Sequence, residues 1–322
     1  MRRLLPVLVC VALLALVCAG AALAGNGGFA PVAPASPNEG GIRSVYWLVL
    51  GFTGFIFLLV EAALVLFIVR YRSRGRSREV EGPQVIGHTN LELAWTVGPV
   101  LILAVIAAFV FYKVGGIRNA PAATGGAETI RIEGHQFYWE FVYPNGAVSI
   151  NTLRVPVERK IELDIVSADV AHSWWVPALG GKLDAIPGRT NRESFRATKL
   201  GTYRGQCAEF CGIQHAAMIA YVRVLPADQY DAWVKRRLTQ PSEVGRETFQ
   251  GVCATCHGLA GQGDIGPAIA QSPLLTDRAA LTKLLRNGGI KMPAVGKTWS
   301  DGQLNALLGY LRKRFAGGGS GG

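Results

Sequence analysis

Cys207-Ala-Glu209-Phe-Cys211-Gly-Ile-Gln-His215-Ala-Ala-Met218 is the stretch that decides how this chain is read. It sets two thiols, an imidazole and a thioether on one short loop. Soft sulfur donors beside imidazole suit copper better than magnesium or calcium. His172 offers a second imidazole from the segment Ser167-Ala-Asp-Val-Ala-His-Ser-Trp174. Each cysteine can bridge two metal ions, with His172, His215 and Met218 as terminal ligands. This donor set predicts a binuclear copper centre and a role in moving electrons. Methionine usually fills cores. Here the only methionines are Met1, Met218 and Met292, and both internal ones fall where a metal ligand is wanted.

The 322 residues leave room for two domains and membrane anchors. Half of them are apolar and the net charge is +11. The charge is clustered in Arg70-Tyr-Arg72-Ser-Arg74-Gly-Arg76-Ser-Arg78. A basic run can bind nucleic acid. This one directly follows an apolar span, so the membrane reading is preferred and no nucleic-acid partner is expected. Of six cysteines, Cys10 and Cys18 lie in a leading apolar segment, and the others form two motifs, Cys207/Cys211 and Cys253/Cys256. None is left over for a conventional disulfide.

Met1-Arg2-Arg3, the apolar run to Val17 and Ala22-Leu23-Ala24 have the layout of a signal peptide over 1–24. A retained third membrane helix is the alternative. Val17 is bulky for a lipidation site at Cys18. A Gly/Pro/Ala/Ser-rich linker covers 25–44. Apolar spans at 45–69 and 93–112 are each long enough to cross a bilayer, which takes about 20 residues. The arginine-rich loop over 70–92 is assigned to the cytoplasm by the positive-inside rule, so everything after 112 lies outside. A linker over 113–128 leads to short alternating runs such as Thr129–Glu133, Arg159–Ile165 and Ala220–Val224. With turns such as Pro144-Asn-Gly146, they predict an antiparallel β-sandwich over 129–226. A linker helix over 227–242, a compact helical unit over 243–316 and a Gly-rich tail over 317–322 complete the chain. Leu304, Leu307, Leu308 and Leu311 give the helical unit an apolar face.

Cys253-Ala-Thr-Cys256-His257 is the attachment signature for a c-type haem. Its thiols form thioethers to the haem, and His257 is held beside the iron. The sixth ligand is expected to be Met292, in Ile290-Lys-Met-Pro-Ala294. His/Met ligation raises the potential of a c-type haem.

The copper segments, Gly134-His-Gln-Phe-Tyr-Trp139, Leu183-Asp-Ala-Ile-Pro-Gly-Arg189 and the two apolar spans resemble subunit II of haem–copper cytochrome c oxidases. The resemblance covers about Val45 to Val224. It implies a two-helix membrane hairpin followed by an extracytoplasmic cupredoxin-like domain holding the CuA centre. His172, Cys207, Cys211, His215 and Met218 are the implied copper ligands, together with the backbone carbonyl of Glu209. The Glu209 carboxylate is implied to reach a magnesium ion shared with subunit I. Tyr138 and Trp139 fall in an aromatic segment that the family uses near the copper to accept electrons; the plain alternative is that they are sandwich core. Phe137 stands where the family often has tryptophan, a departure that fits a chain whose donor is attached. His135 is read as structural and His88 as ordinary. Glu92 resembles the glutamate feeding a proton channel, against the plain reading of a surface charge. Glu61, inside the first span, is expected to be protonated or to face another subunit, since an ionised acid there costs about 2.5–3.5 kcal/mol.

Residues 243 to 315 resemble a class I cytochrome c. Gly266-Pro267 matches the segment that takes the hydrogen bond of the haem-binding imidazole, and Gly245, Phe249 and Tyr310 match the crossing of the first and last helices. Such a fusion resembles the caa-type branch. The resemblance implies a proton-translocating terminal oxidase of the bacterial cytoplasmic membrane. Subunits I and III are the implied partners, and oxygen is reduced in subunit I. The implied electron donor is a soluble or membrane cytochrome c or a cytochrome bc complex. The rival readings are the CuA subunit of a nitric oxide reductase and a free-standing membrane-anchored electron shuttle. Quinol oxidase subunits lack the copper ligands, and nitrous oxide reductase lacks the hairpin and the haem.

Overall fold

The computed structural model describes residues 31–72, 82, 84–121 and 126–316. The leader over 1–24, Cys10, Cys18, Arg74, Arg76, Arg78 and the tail over 317–322 lie outside the described residues. The described residues fall into two compact units, one within 41–115 and the other within 32–40 and 116–316.

The first unit is built on helices α1 (Pro37–Tyr71) and α2 (Thr89–Arg118). Their most apolar stretches have mean hydropathies of 2.6 and 2.4, and no residue of those stretches is buried against the rest of the protein. Leucines and phenylalanines such as Leu58 and Phe55 therefore face outward, as bilayer-facing side chains would. Both helices outrun the apolar spans read from sequence. Hydropathy marks only the residues matched to hydrocarbon, whereas the backbone continues helically through polar flanks. At the start of α1 the Ser36 hydroxyl accepts from the Glu39 amide at 3.1 Å, a cap that sets the first turn before the apolar run begins.

The second unit opens with a β-sandwich. One sheet has the order β3 (Val148–Ile150), β2 (Tyr138–Val142), β1 (Ala127–His135), β5 (Lys160–Ser167), β8 (Asn191–Arg196). The other has the order β4 (Thr152–Pro156), β10 (Ile219–Leu225), β9 (Gly201–Cys207), β6 (His172–Trp175), β7 (Leu183–Ala185). Alternation explains the layering. Ile130 and Ile132 on β1, Ile161, Leu163 and Ile165 on β5, and Ala220, Val222 and Val224 on β10 are buried in the core, and the residues between them are more exposed, until alternation breaks at the buried Glu133 and Val166 near the ends of β1 and β5. Not every pairing is antiparallel: β1 runs parallel to β5, and β4 parallel to β10. Helix α3 (Ala227–Thr239) lays Tyr230 and Trp233 on the sandwich core, where Trp233 meets Tyr143 at 5.1 Å between ring centres.

Only Gln240 separates α3 from α4 (Pro241–Thr248), which runs through a wide turn at Phe249–Cys253 into the one-turn α5 (Ala254–His257). Helices α6 (Arg278–Asn287) and α7 (Asp301–Leu311) complete the helical domain. Asp277 and Ser300 cap them, accepting from the amides of Ala280 at 2.9 Å and Gln303 at 3.2 Å. Leu304, Leu307, Leu308 and Leu311 are buried against Phe249 and Leu285. Helices α4 and α7 cross so tightly at Gly245 that a Cβ there would lie 2.1 Å from the Ala306 carbonyl oxygen. Glycine is required at that crossing for space alone.

Candidate metal and haem sites

The copper candidates converge at one end of the sandwich. His172 opens β6, Cys207 closes β9, and residues 208–218 loop back into β10. The Cys207 amide bonds to the Met218 carbonyl at 3.0 Å and the Ala208 amide to the Ser173 carbonyl at 2.9 Å, so both ends of the loop are tied to strands. Inside the loop, Gly212 adopts φ +134, where its missing side chain also leaves room for the Phe137 ring. The Gln136 amide group clamps the Cys211 carbonyl at 2.6 Å.

The two sulfurs lie 4.0 Å apart. His172 Nδ1 is 3.8 Å from the Cys207 sulfur, and His215 Nδ1 is 3.7 Å from the Cys211 sulfur. The Met218 sulfur is 3.8 Å from Cys211, and the Glu209 carbonyl oxygen is 3.2 Å from Cys207. The donor atoms of His172, Cys207 and Cys211 all lie within 4.8 Å of one another, the only such cluster among the described residues. Two soft bridging sulfurs, flanked on each side by an imidazole nitrogen, form a donor set that fits a copper pair. The thiols differ. Burial opposes ionisation of Cys207, but contacts with His172 and the backbone outweigh it and lower the thiol to about 7. Burial pushes Cys211 up to about 12, and the nearby Cys207 thiolate adds to the shift. Without metal one thiolate forms readily and opposes the second.

Sequence reasoning missed Asp169. Its carboxylate takes the far ring nitrogen of His172, Nε2, at 2.8 Å. It also accepts from the amides of Gln136 and Val170, each at 2.7 Å. This fixes the imidazole with Nδ1 aimed at the sulfurs, as carboxylates commonly do for metal-binding histidines. Burial alone would lower His172; the Asp169 and Cys207 contacts reverse that and raise it. The only sequence signal was an acid three residues before a candidate ligand.

Tyr138 and Trp139 are not on an open surface. Trp139 is fully buried between His172 and Trp174, 5.9 and 5.2 Å away between ring centres. Tyr138 is buried beneath the helical domain. His135 stacks on Tyr138 at 4.4 Å, and burial lowers it to about 4, so it stays neutral beside Glu133. Glu209 has an exposed side chain. Glu92 sits in the first turn of α2, where its carboxylate accepts from the His88 amide at 3.1 Å. Glu61 is exposed on α1.

Cys253, Cys256, His257 and Met292 line one largely apolar cavity of about 570 Å³, with Leu281 and Leu285 behind them. His257 Nδ1 lies 2.6 Å from the Pro267 carbonyl oxygen. A carbonyl only accepts, so Nδ1 carries the proton and Nε2 is left as a free donor for a metal. Two thiols, an imidazole with a free nitrogen and a thioether around one apolar cavity fit a c-type haem.

Three successive segments of the chain match known families. Residues 26–112 match the transmembrane domain of cytochrome c oxidase subunit II, and residues 147–225 match its periplasmic domain. The chain is 33% identical to cytochrome c oxidase subunit 2 of Alkalihalophilus pseudofirmus over 289 residues, covering 79% of this chain and 82% of that one. The chain belongs to the cytochrome c oxidase subunit II family. It is also 34% identical to the subunit 2 of Bacillus sp. strain PS3, over 58% of each chain. The crystal structure of the periplasmic domain of subunit II of cytochrome oxidase from Bradyrhizobium japonicum is 34% identical, covering 37% of this chain and 97% of that one, with a TM-score of 0.35. Residues 240–311 match a different family, subunit III of the cbb3-type cytochrome c oxidase. This subunit II thus carries a fused cytochrome c domain. It is an electron-transfer subunit of a haem–copper oxidoreductase, anchored by two transmembrane helices. Its cupredoxin-like copper domain and its cytochrome c domain lie on the extracytoplasmic side. Membership implies a CuA copper centre, a bound haem, companion oxidase subunits and a cytochrome c donor.

Proposed function

We propose that this subunit II takes electrons from a reduced cytochrome c or a cytochrome bc complex onto its own haem and passes them to CuA. From there they reach subunit I, which reduces oxygen to water with coupled proton translocation. The assembly is a caa-type oxidase with subunits I and III. When bound, the copper pair and the haem would each supply a one-electron couple. Cys207 and Cys211 would hold the copper pair through their sulfurs. His172, held by Asp169, and His215 would be further copper ligands, together with Met218 and the Glu209 carbonyl. Cys253 and Cys256 would hold the haem through thioethers and His257 and Met292 would be its iron ligands, a pairing that would raise its potential toward that of an electron donor to copper. The exposed Glu209 carboxylate would offer an oxygen donor to a magnesium ion shared with subunit I. Glu92 takes up protons at the cytoplasmic end of α2.

The observation that carries this reading is the pair of sulfurs 4.0 Å apart, each with its own imidazole nitrogen. The test is the purified membrane complex, supplied with reduced cytochrome c and either oxygen or nitric oxide. Oxygen consumption, with haem c oxidised before subunit I turns over, supports the proposal. Consumption of nitric oxide alone would assign the chain to the reductase reading. Isolation of the chain as a monomer without haem a would make it a free electron shuttle.

A further inference from the structure

Met292 stands on the irregular loop 288–300, which joins α6 to α7. The backbone groups of such a loop need partners that a regular element would otherwise supply. On the outgoing limb the Gly289 amide bonds to the Met292 carbonyl at 2.8 Å. On the return limb the Gly296 amide bonds back to the Leu285 carbonyl of α6 at 2.9 Å. A Cβ on Gly296 would lie 2.8 Å from the Trp299 ring and 3.3 Å from the Leu285 carbonyl oxygen. The return limb therefore packs against the end of α6 with no room for a side chain.

Two carbonyls of that limb converge on one side chain. Arg286, in the last turn of α6, donates through Nη1 to the Gly296 carbonyl at 2.9 Å and to the Trp299 carbonyl. Its Nη2 donates to the Asp301 carboxylate at 3.0 Å. The two kinds of contact differ in weight. The Asp301 side chain is 93% exposed, so its attraction is screened by water and contributes little. Gly296 and Trp299 are buried, so their carbonyls rely on a protein donor. A guanidinium carries five N–H donors in a rigid fork, whereas a lysine ammonium is a single point with three.

We propose that Arg286 is a positioning residue for the Met292 thioether: its guanidinium ties the return limb of the loop to α6, and so limits how far the sulfur can withdraw from the cavity that Met292 and Leu285 line. The inference rests on the functional reading above, in which Met292 is the sixth ligand of the haem iron. A thioether is a neutral, weak donor. A loop that lets its sulfur drift gives up the sixth position to any stronger donor offered from solvent, which is why an outer partner such as Arg286 matters to the ligand it never touches.

The experiment titrates the oxidised whole oxidase with imidazole, a nitrogen ligand that displaces a loosely held thioether, and follows the haem c absorption band. Hydrogen exchange of the Gly296 and Trp299 amides reads the loop without reference to activity. Arg286→Gln keeps a polar side chain but loses the fork and the charge. Imidazole should bind it at a concentration about tenfold lower, equivalent to about 1.4 kcal/mol. Its haem midpoint potential should fall and exchange at both amides should quicken. Arg286→Lys, which keeps the charge, should lie between it and the wild type. Asp301→Asn, which breaks only the exposed ion pair, should match the wild type. Met292→Ala sets the upper limit, with the sixth position open. Wild-type imidazole affinity and potential in Arg286→Gln, whatever happens to its thermal stability, would overturn the proposal. So would a loss in Asp301→Asn equal to that in Arg286→Gln. Should Arg286→Gln fail to keep its haem, the same reading is taken from Arg286→Lys, and wild-type behaviour there would overturn the proposal. A wild type that binds imidazole as tightly as Met292→Ala would instead sink the functional reading on which it rests, since Met292 would not then be the ligand.

Discussion

Asp169→Asn separates a metal site that is merely assembled from one that is held in position. The carboxylate answers three donors at once: the His172 ring at 2.8 Å and the amides of Gln136 and Val170 at 2.7 Å. Asparagine keeps the size but has one acceptor oxygen and an NH2 group. If its oxygen stays with His172 and Val170, the NH2 faces the Gln136 amide, donor against donor. If it flips, His172 loses its acceptor. Either way a charge-assisted bond worth about 1.5–3 kcal/mol becomes a neutral one worth about 1 kcal/mol, and one donor is left unmatched: the Gln136 amide, or the buried His172 ring if the amide flips. Loss of an outer partner of this kind typically costs 10–100-fold in metal affinity, or about 1.4–2.8 kcal/mol. The assay is copper retention by the purified oxidase against a graded chelator, with the haem c band as an internal reference. The variant should release copper at roughly one-tenth or less of the chelator strength the wild type withstands, with haem content unchanged. Equal retention would refute the claim that Asp169 orients His172.

Other outcomes follow from single contacts. Gly245→Ala should destabilise the cytochrome domain by about 3 kcal/mol, because the methyl group meets a backbone carbonyl that cannot move alone; thermal loss of the haem band measures it. Burial raises Glu140 from 4.5 to about 7, so the fold favours its protonated form. That stability is present below about pH 4.5 and is lost as pH rises through 7, about 3 kcal/mol in all. Glu140→Gln should therefore leave thermal stability unchanged at pH 4.5 and raise it at pH 8, and equal shifts at both pH values would contradict the assignment. Met292→Ala should lower the haem midpoint potential in a redox titration; an unaltered potential would mean another sixth ligand.

What the sequence could reveal depended on how locally each feature is encoded. The donors Cys207 to Met218 lie within one loop, and Cys253 to His257 within one turn, so spacing alone displays them. Strand alternation exposed β1, β5 and β10 for the same reason. Tyr138 and Trp299 are 161 residues apart and share no periodicity, and only the folded chain brings them together. The segment around Phe137 reads equally well as surface or core until β2 is seen beneath the cytochrome domain. Asp169 escaped notice because an acid near a histidine is common, and its role appears only once β1 presents the Gln136 amide to the same carboxylate. The early start of α1 was hidden because a capped polar turn carries no hydropathy signal.

Metal analysis of the fully loaded oxidase bears most directly on the copper pair. Two coppers bound by this chain, with one covalently attached haem, is the outcome that Cys207, Cys211 and their flanking imidazoles demand. A single copper per chain, or none, in material that retains its haem would contradict it.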